Sequence, residues 1–304
     1  MCFLPSLAEL LKSELLKALI YLTSNLKLRT VFDMQEDNRK LYGVIGYPLG
    51  HSFGPLLHNW GFKKHNLQNI YLKWEIPPRD LGAFVVSLHT LSIQGISVTL
   101  PYKQKIIPYL DEITPEAKKI GAVNTVYWNA SELWGENTDW FGFLQPLQNM
   151  NAHIDNALIL GAGGAALACI VGLQNMGVSK IYVAARRKER LQDLEKRFQI
   201  VPVDWQEKTN FPADLLVNST PLGMSGDLES STPFEGNLEA YKYVYDLVYN
   251  PIQTRLLHAA ASSSNCTAVS GLYMFIYQAL KQFHIWTGYE FPVDEAEALL
   301  RKHL

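Results

Sequence analysis

Residues 157–166 read Ala-Leu-Ile-Leu-Gly-Ala-Gly-Gly-Ala-Ala. The apolar run 157–160 predicts a short strand, and residues 165–175 predict a helix that Gly177 closes. Glycines between a strand and a helix let the backbone approach a pyrophosphate, whose charge the helix N-terminus stabilises. The stretch therefore predicts a dinucleotide site of the Rossmann type, with a tight packing turn as the alternative.

The next predicted strand, 180–185, is followed by residues that indicate the cofactor. An acidic side chain usually binds the ribose 2′-hydroxyl at this point, but this chain has Arg186, Arg187 and Lys188, with Arg190 just beyond. A guanidinium group offers a planar fork of donors and a permanent charge, which suit a 2′-phosphate. The sequence therefore predicts NADP, the alternative being a solvated basic helix start.

Two other segments suggest the chemistry. Ser-Val-Thr-Leu-Pro-Tyr-Lys ends at Lys103, and Gly-Glu-Asn-Thr-Asp ends at Asp139. Reduction of a ketone by hydride leaves an alkoxide, which needs a proton or a neighbouring cation, and Lys103 can supply either. Asp139 would orient that ammonium group. Taken singly, Lys103 is typical of a surface lysine and Asp139 of a helix cap, so the hypothesis rests on the pair.

The composition of the chain limits the classes of protein to which it can belong. A length of 304 residues with 48% hydrophobic residues predicts two domains, and a net charge of −2 argues against broad attraction to nucleic acid or anionic membranes. The three cysteines are scattered and form no Cys-x-x-Cys, and there is no His-Glu-x-x-His, so we expect no metal and a reducing, cytoplasmic location. The leucine-rich stretch 6–22 carries charged residues throughout, which favours an amphipathic helix over an export signal.

Strand-like and helix-like segments alternate along the chain, which predicts an α/β fold with mostly parallel strands and crossover helices. We expect an N-terminal helical extension over 1–40, a substrate-binding domain over 41–144 plus 272–304, and an NADP-binding Rossmann-like domain over 145–271. The C-terminal helices are expected to return to the first domain. The predicted strands are 41–45, 71–76, 95–100, 157–160, 180–185, 215–218 and 243–248, and the predicted helices are 56–64, 81–90, 165–175, 273–286 and 293–302.

From Tyr42 to Gly288 the chain resembles the shikimate dehydrogenase family. The matching segments are Gly-Tyr-Pro-Leu-Gly-His-Ser (46–52) with Pro55, His58 and Asn59, Val-Thr-Leu-Pro-Tyr-Lys (98–103), Gly-Ala-Val-Asn-Thr (121–125), Asn-Thr-Asp (137–139), the glycine-rich 161–166, Asn-Ser-Thr-Pro-Leu-Gly-Met (218–224), Tyr-Asp-Leu-Val-Tyr-Asn-Pro (245–251), and Gln278 before Trp-Thr-Gly (286–288). Their number and order make chance similarity negligible.

The resemblance implies reversible, NADP-dependent reduction of 3-dehydroshikimate to shikimate in a cleft between two domains, by a monomer or homodimer. Lys103 would transfer the proton, with Asp139 as its partner. The expected substrate-site positions are Ser52, Gly54, Thr99, Asn124, Asp139, Tyr249 and Gln278. The expected cofactor positions are Gly161, Ala162, Gly163, Gly164, Ala165, Ala185, Arg186, Arg187, Arg190, Thr220, Leu247 and Gly271.

Four positions depart from the family pattern. The chain has Gly54 where the family usually has a second hydroxyl residue that contacts the substrate carboxylate. It also has Ser97 and Ala185 where Asn is usual, and Tyr273 where a small residue is usual. The missing hydroxyl at Gly54 leaves space beside the carboxyl-bearing ring carbon. Quinate carries an extra hydroxyl there, so a quinate or dual dehydrogenase is the alternative. A catalytically silent, metabolite-sensing relative is a more remote one, since a sensor would not need both Lys103 and Asp139.

Overall fold

A computed structural model describes residues 39–50 and 52–304. The predicted helical extension over 1–40 lies outside the described residues, apart from its last two. Residues 40–304 form one compact unit that contains two six-stranded sheets. The predicted boundaries of two separate domains stay a prediction.

The first sheet contains β1 (Leu41–Gly46), β2 (Ile70–Glu75), β3 (Ile93–Val98), β4 (Glu112–Ile113), β5 (Thr125–Asn129) and β6 (Glu132–Glu136). Its strand order is β2-β1-β3-β5-β6-β4. The strands β2, β1 and β3 are parallel, as expected, but β5 pairs antiparallel with both β3 and β6. This sheet is therefore mixed.

The mixed pairing comes from a hairpin that the sequence does not signal. Its loop is only Ala130 and Ser131, between the paired residues Asn129 and Glu132. Ala130 adopts a left-handed φ of 54°. Two-residue hairpin loops usually carry Gly or Asn at such positions, and this one has neither.

The second sheet contains β7 (Asn156–Leu160), β8 (Lys180–Ala185), β9 (Val201–Asp204), β10 (Leu215–Asn218), β11 (Tyr243–Asp246) and β12 (Thr267–Ser270). Its order is β12-β11-β10-β7-β8-β9, and every pairing is parallel. Starting from β9, this is the 3-2-1-4-5-6 order of the Rossmann fold. The prediction of a Rossmann-like half is confirmed.

Both faces of this sheet are covered at its centre, which explains why the central strands β7 and β10 are almost entirely apolar. Along β7, Ala157 and Ile159 pack into one core, whereas Leu158 and Leu160 pack into another on the opposite face. All four side chains are fully buried. The run 157–160 is therefore a central strand.

The helices are α1 (Gly54–Lys64), α2 (Leu81–Thr90), α3 (Pro115–Ile120), α4 (Asp139–Asn149), α5 (Gly164–Asn175), α6 (Lys188–Phe198), α7 (Arg255–Ala261), α8 (Gly271–Thr287) and α9 (Val293–Arg301). The five predicted helices are present as α1, α2, α5, α8 and α9, and their bounds agree with the prediction to within two residues at either end, whereas α3, α4, α6 and α7 have no predicted counterpart. No helix among the described residues is long and apolar enough to cross a membrane.

Helices α4 and α8 connect the two sheets. Helix α4 runs from the first sheet toward β7, and α8 follows β12 and returns to the first core, where Leu272, Ile276 and Phe283 pack with Tyr42. The two helices meet almost backbone to backbone, because a Cβ at Gly142 would lie only 2.5 Å from the Met274 carbonyl oxygen. The expected return of the C-terminal helices to the first sheet is thus present.

Candidate active site

A cleft of about 660 Å³ is lined by residues from both sheets. Its walls on the side of the first sheet include Ser52, Gly54, Thr99, Lys103 and Asn124. Asp139, Ala165, Leu247, Tyr249, Gly271 and Gln278 line it as well. Eleven of the residues predicted from the sequence therefore face one cavity.

Lys103 and Asp139 form an ion pair in this cleft. Lys103 Nζ lies 2.5 Å from Asp139 Oδ2, with the lysine side chain 28% and the aspartate side chain 14% exposed. Lys103 is held by its neighbours, since Tyr102 is fully buried and the Val123 amide donates to the Lys103 carbonyl at 2.7 Å. The ammonium group therefore stays at the cleft while remaining open to a substrate.

Asn124 fixes the other side of the carboxylate. Its side-chain nitrogen donates to Asp139 Oδ1 at 2.8 Å, and its Oδ1 accepts from the Thr138 backbone amide at 2.7 Å. The Asp139 amide itself donates to Asn137 Oδ1 at 3.0 Å. Asp139 is the first residue of α4, so its charge also lies at a favourable helix N-terminus. These bonds orient the carboxylate toward Lys103.

Several side chains of this cleft are absent from the predicted site, among them His58, Tyr71 and Gln282. The His58 ring stacks on Tyr71 with centroids 4.5 Å apart. Burial lowers the pKa of His58 to about 3, although a side-chain hydrogen bond with Gln282 opposes this. Burial also raises the pKa of Tyr71 well above its usual value. Both groups are thus neutral at physiological pH.

Gly54 leaves ordinary space around it. A Cβ at this position would lie 3.4 Å from Ser52 Oγ and 3.5 Å from the Tyr71 hydroxyl oxygen. The Gly54 amide donates to Ser52 Oγ at 3.3 Å, which leaves the Ser52 hydroxyl proton free. This corner of the cleft can therefore donate from Ser52, and it has no second side chain at position 54.

Tyr249 and Gln278 both line the cleft, and no hydrogen bond joins their side chains. The Tyr249 ring stacks on Phe275 with centroids 5.1 Å apart, and burial raises its pKa. The Gln278 amide nitrogen donates to the Phe275 carbonyl at 2.9 Å. Its oxygen has no hydrogen bond from the described residues and can accept from a ligand.

The glycine-rich loop has the shape that a pyrophosphate needs. Gly161 has a left-handed φ of 112°, and a Cβ there would lie 2.6 Å from Ser219 Oγ. A Cβ at Gly163 or Gly164 would meet nothing within 4 Å, so the start of α5 is open. Exposed amides at a helix N-terminus form an anion site, and this loop fits a dinucleotide.

The basic residues after β8 are available to a phosphate. Arg186 and Arg187 are exposed, Arg190 is half-buried, and none of them lies within ion-pair distance of an acidic side chain in the described part of the chain. Lys188 differs, because its ammonium lies 3.5 Å from Asp204. Ala185 is buried at the end of β8 and offers only its backbone.

Buried polar groups shape the loops after β10 and β11. Asn218 Oδ1 accepts from the Thr220 amide at 2.9 Å and from its hydroxyl at 2.7 Å. The Asn218 nitrogen donates to Asp246 Oδ1 at 2.8 Å. Gly271 must be glycine, because a Cβ there would lie 2.3 Å from the Leu247 carbonyl oxygen. Thr220, Leu247 and Gly271 are thereby fixed at the carboxyl edge of the second sheet, where Rossmann cofactors bind.

Comparison with known proteins agrees with this geometry. A protein of Maridesulfovibrio salexigens named shikimate dehydrogenase (NADP(+)) is 42% identical over 266 residues, which cover 87% of this chain and 97% of the relative. The chain belongs to the shikimate dehydrogenase family. A second relative of that name, from Oleidesulfovibrio alaskensis, is 43% identical over 86% of this chain and 95% of its own.

The family models match the chain in two places. The shikimate dehydrogenase substrate-binding domain matches residues 44–126, and the shikimate 5′-dehydrogenase C-terminal domain matches residues 271–301. The first match contains Lys103 and Asn124, and the second contains Gly271 and Gln278. The family resemblance inferred from the sequence is confirmed.

Solved structures of the family share the fold. A chorismate mutase/shikimate 5-dehydrogenase fusion protein from Clostridium acetobutylicum superimposes with a TM-score of 0.80 at 33% identity, covering 88% of this chain and 98% of that one. A shikimate 5-dehydrogenase from Thermus thermophilus in complex with NADP(H) and shikimate gives 0.78 at 31% identity, covering 87% and 100%.

Proposed function

We propose that this chain reduces 3-dehydroshikimate to shikimate with NADPH, and catalyses the reverse oxidation with NADP. One observation carries the proposal: the Lys103–Asp139 ion pair lines the same cleft as Ala165, in the first turn of α5, and as Leu247 and Gly271, at the carboxyl ends of β11 and β12. Family membership and the names of the relatives support the same reaction.

The cofactor would be held by backbone amides at Gly163 and Gly164 and by Arg186, with Arg187 and Arg190 close to the 2′-phosphate. When bound, NADPH supplies the hydride. Gly271 allows the start of α8 to approach the Leu247 backbone, and the wall that these two residues form would face the reacting end of the cofactor.

Lys103 carries the proton step. As the substrate carbonyl becomes an alkoxide, the ammonium group stabilises the negative charge and donates its proton to that oxygen. Asp139 holds Lys103 in place and can accept a hydrogen bond from a neighbouring ring hydroxyl. In the reverse direction Lys103 must be deprotonated to accept the alcohol proton.

The substrate carboxylate would lie toward Ser52, whose hydroxyl proton is free to donate. Asn124, Thr99, Tyr249 and Gln278 would contact the ring hydroxyls, because amide and hydroxyl groups both donate and accept. None of these contacts requires a charged side chain.

The test is direct: purified protein is mixed with NADPH and 3-dehydroshikimate, and the NADPH absorbance is followed. We expect absorbance to fall with time, and to rise when shikimate and NADP are supplied instead. Binding of both ligands without any absorbance change would contradict the proposal and favour the silent sensing relative.

A quinate or dual dehydrogenase is the second candidate, and the space at Gly54 favours it. Replacing Gly54 by Ser adds a donor for the carboxylate and fills volume next to Tyr71, so the ratio of shikimate to quinate kcat/KM is expected to rise. The position has no left-handed φ and no contact under 3.4 Å, so the variant should melt near the wild-type temperature. An unchanged ratio in a folded variant would mean that position 54 does not face the substrate.

A further inference from the structure

A chain of hydrogen bonds begins at the Gly54 corner, which is the part of the cleft formed by Ser52, Gly54 and Tyr71. It ends at the ion pair of Lys103 and Asp139. The Tyr71 hydroxyl lies 2.6 Å from Ser97 Oγ, which lies 2.8 Å from Gln282 Oε1. On the other side, Gln282 Nε2 lies 2.9 Å from Thr125 Oγ1 and 3.2 Å from the Asn124 carbonyl oxygen. Gln282 is only 2% exposed. Its amide links the hydrogen bonds of Tyr71 and Ser97 to those of Thr125 and Asn124.

A backbone amide sets the direction of these bonds. The Thr138 N–H can only donate, so the Asn124 side-chain atom 2.7 Å away is the oxygen Oδ1. The Thr125 hydroxyl is 2.7 Å from the same oxygen and must donate to it, which uses its only proton. Toward Gln282, Thr125 can therefore only accept.

The orientation of Gln282 follows. One end of its amide faces two groups that accept, the Thr125 hydroxyl oxygen and the Asn124 carbonyl oxygen, so that end is the nitrogen. The other end, facing Ser97, is the oxygen. An amide flip would place two acceptors against the Gln282 oxygen, which is unfavourable in a buried site.

The hydroxyl protons at the Gly54 corner are fixed in turn. Ser97 must donate to Gln282 Oε1, and its proton is then used. Tyr71 must donate to Ser97, since no proton remains on Ser97 for the reverse bond. The Tyr71 oxygen lies 3.5 Å from where a Gly54 side chain would begin, and only its lone pairs remain for a ligand.

We propose that Gln282 is a specificity-determining residue that keeps the Tyr71 hydroxyl an acceptor at the Gly54 corner. This inference rests on the proposed function, which places the substrate carboxylate near Ser52. A carboxylate cannot donate to Tyr71, whereas a hydroxyl on the carboxyl-bearing ring carbon can. A ring acid that carries such a hydroxyl, such as quinate, therefore gains a hydrogen bond at this corner that shikimate cannot make.

The test measures dissociation constants for shikimate and quinate by calorimetry, with the full chain and no cofactor. Four proteins are compared: wild type, Tyr71→Phe, Gln282→Met and the double variant. In the wild-type background, Tyr71→Phe is expected to weaken quinate roughly three- to tenfold, the size of one hydrogen bond, and to leave shikimate within about twofold.

The Gln282→Met background is expected to reverse this pattern. With no amide oxygen to receive it, the Ser97 proton can turn toward Tyr71, and the Tyr71 proton can turn toward the carboxylate. Tyr71→Phe should then weaken shikimate. Equal effects on both acids in both backgrounds would overturn the proposal, and so would a wild-type protein that does not bind quinate.

Two controls separate the possible failures. Gln174→Met makes the same substitution near the end of α5, in contact with Phe198 rather than the cleft, and should leave both affinities unchanged. If Gln282→Met does not fold, Ser97→Ala replaces it, because it removes the acceptor of the Tyr71 proton directly and so frees that proton for the carboxylate. Absence of turnover with NADP would contradict the proposed function alone, since the binding measurement needs no reaction.

Discussion

Lys103 and Asp139 stand 36 residues apart in the chain and 2.5 Å apart in the cleft. Replacing Lys103 by Ala removes the proposed proton donor, and kcat is expected to fall by about 10² or more while the KM for shikimate stays within about tenfold. Steady-state kinetics in both directions check this. Lys105→Ala, an exposed lysine two residues away, is the matched control and should behave as wild type.

A second prediction for a single residue concerns Arg186, the proposed partner of the 2′-phosphate. Arg186→Ala is expected to weaken NADPH binding by about 1.5–3 kcal/mol, the range for a charge-assisted hydrogen bond, with NADH binding unchanged. Titration of each cofactor by fluorescence would show the difference. Lys188→Ala is the control, because Lys188 already faces Asp204, and equal losses for NADPH and NADH would assign Arg186 a structural role.

Sequence alone proposes these residues as candidates because their chemistry is unusual for their position: a lone lysine after a strand, and arginines where an acid is expected. It does not identify Tyr71 and Gln282. Both are ordinary core and helix residues until folding brings Gln282 to Ser97, 185 residues earlier in the chain. Their role depends on which atoms donate, which only the three-dimensional contacts determine.

Among the helices and strands, those with a strong apolar pattern have bounds that the sequence predicts well. The strands β8 and β10 and the helix α2 have the predicted bounds, since each combines an apolar run with clear turn residues. The β5–β6 hairpin lacks such turn residues, and the two-residue strand β4 is too short to show periodicity. The mixed order of the first sheet follows from these elements.

The start of α8 depends on one glycine. Gly271→Ala would push a methyl group against the Leu247 backbone, which cannot move without shifting β11, so we expect a loss of about 1–3 kcal/mol in unfolding free energy and weaker NADP binding. Urea unfolding and cofactor titration measure the two effects. Gly50→Ala, where a Cβ meets nothing within 4 Å, should be neutral.

At the scale of the whole molecule, two buried groups make stability depend on pH in opposite directions. The pKa of His58 falls from 6.5 to about 3 on folding, so the unfolded chain takes up a proton first and stability is lost as pH falls from about 6.5 to 3. Burial raises the pKa of Asp246 from 3.8 to about 6, so its contribution increases stability over about pH 6 to 4.

The two contributions oppose each other, and substitution separates them when urea unfolding is compared at pH 7 and pH 4. His58→Phe should make the protein relatively more stable at pH 4 than wild type, and Asp246→Asn should make it relatively less stable there. If both variants follow the wild-type pH dependence, neither side chain titrates as its burial implies.

The close approach of α4 and α8 at Gly142 has a mechanical consequence. Two helices whose backbones touch cannot slide past each other without a steric clash, and separating them would lose their close packing, so we expect the pair to move as one rigid unit between the sheets. Any opening or closing of the cleft must then bend the chain where these helices end, near Thr138 and Met150 for α4 and near Ser270 and Gly288 for α8. Since Asp139 and Gly271 adjoin two of these points, the movement that admits substrate would act directly on the residues that hold it.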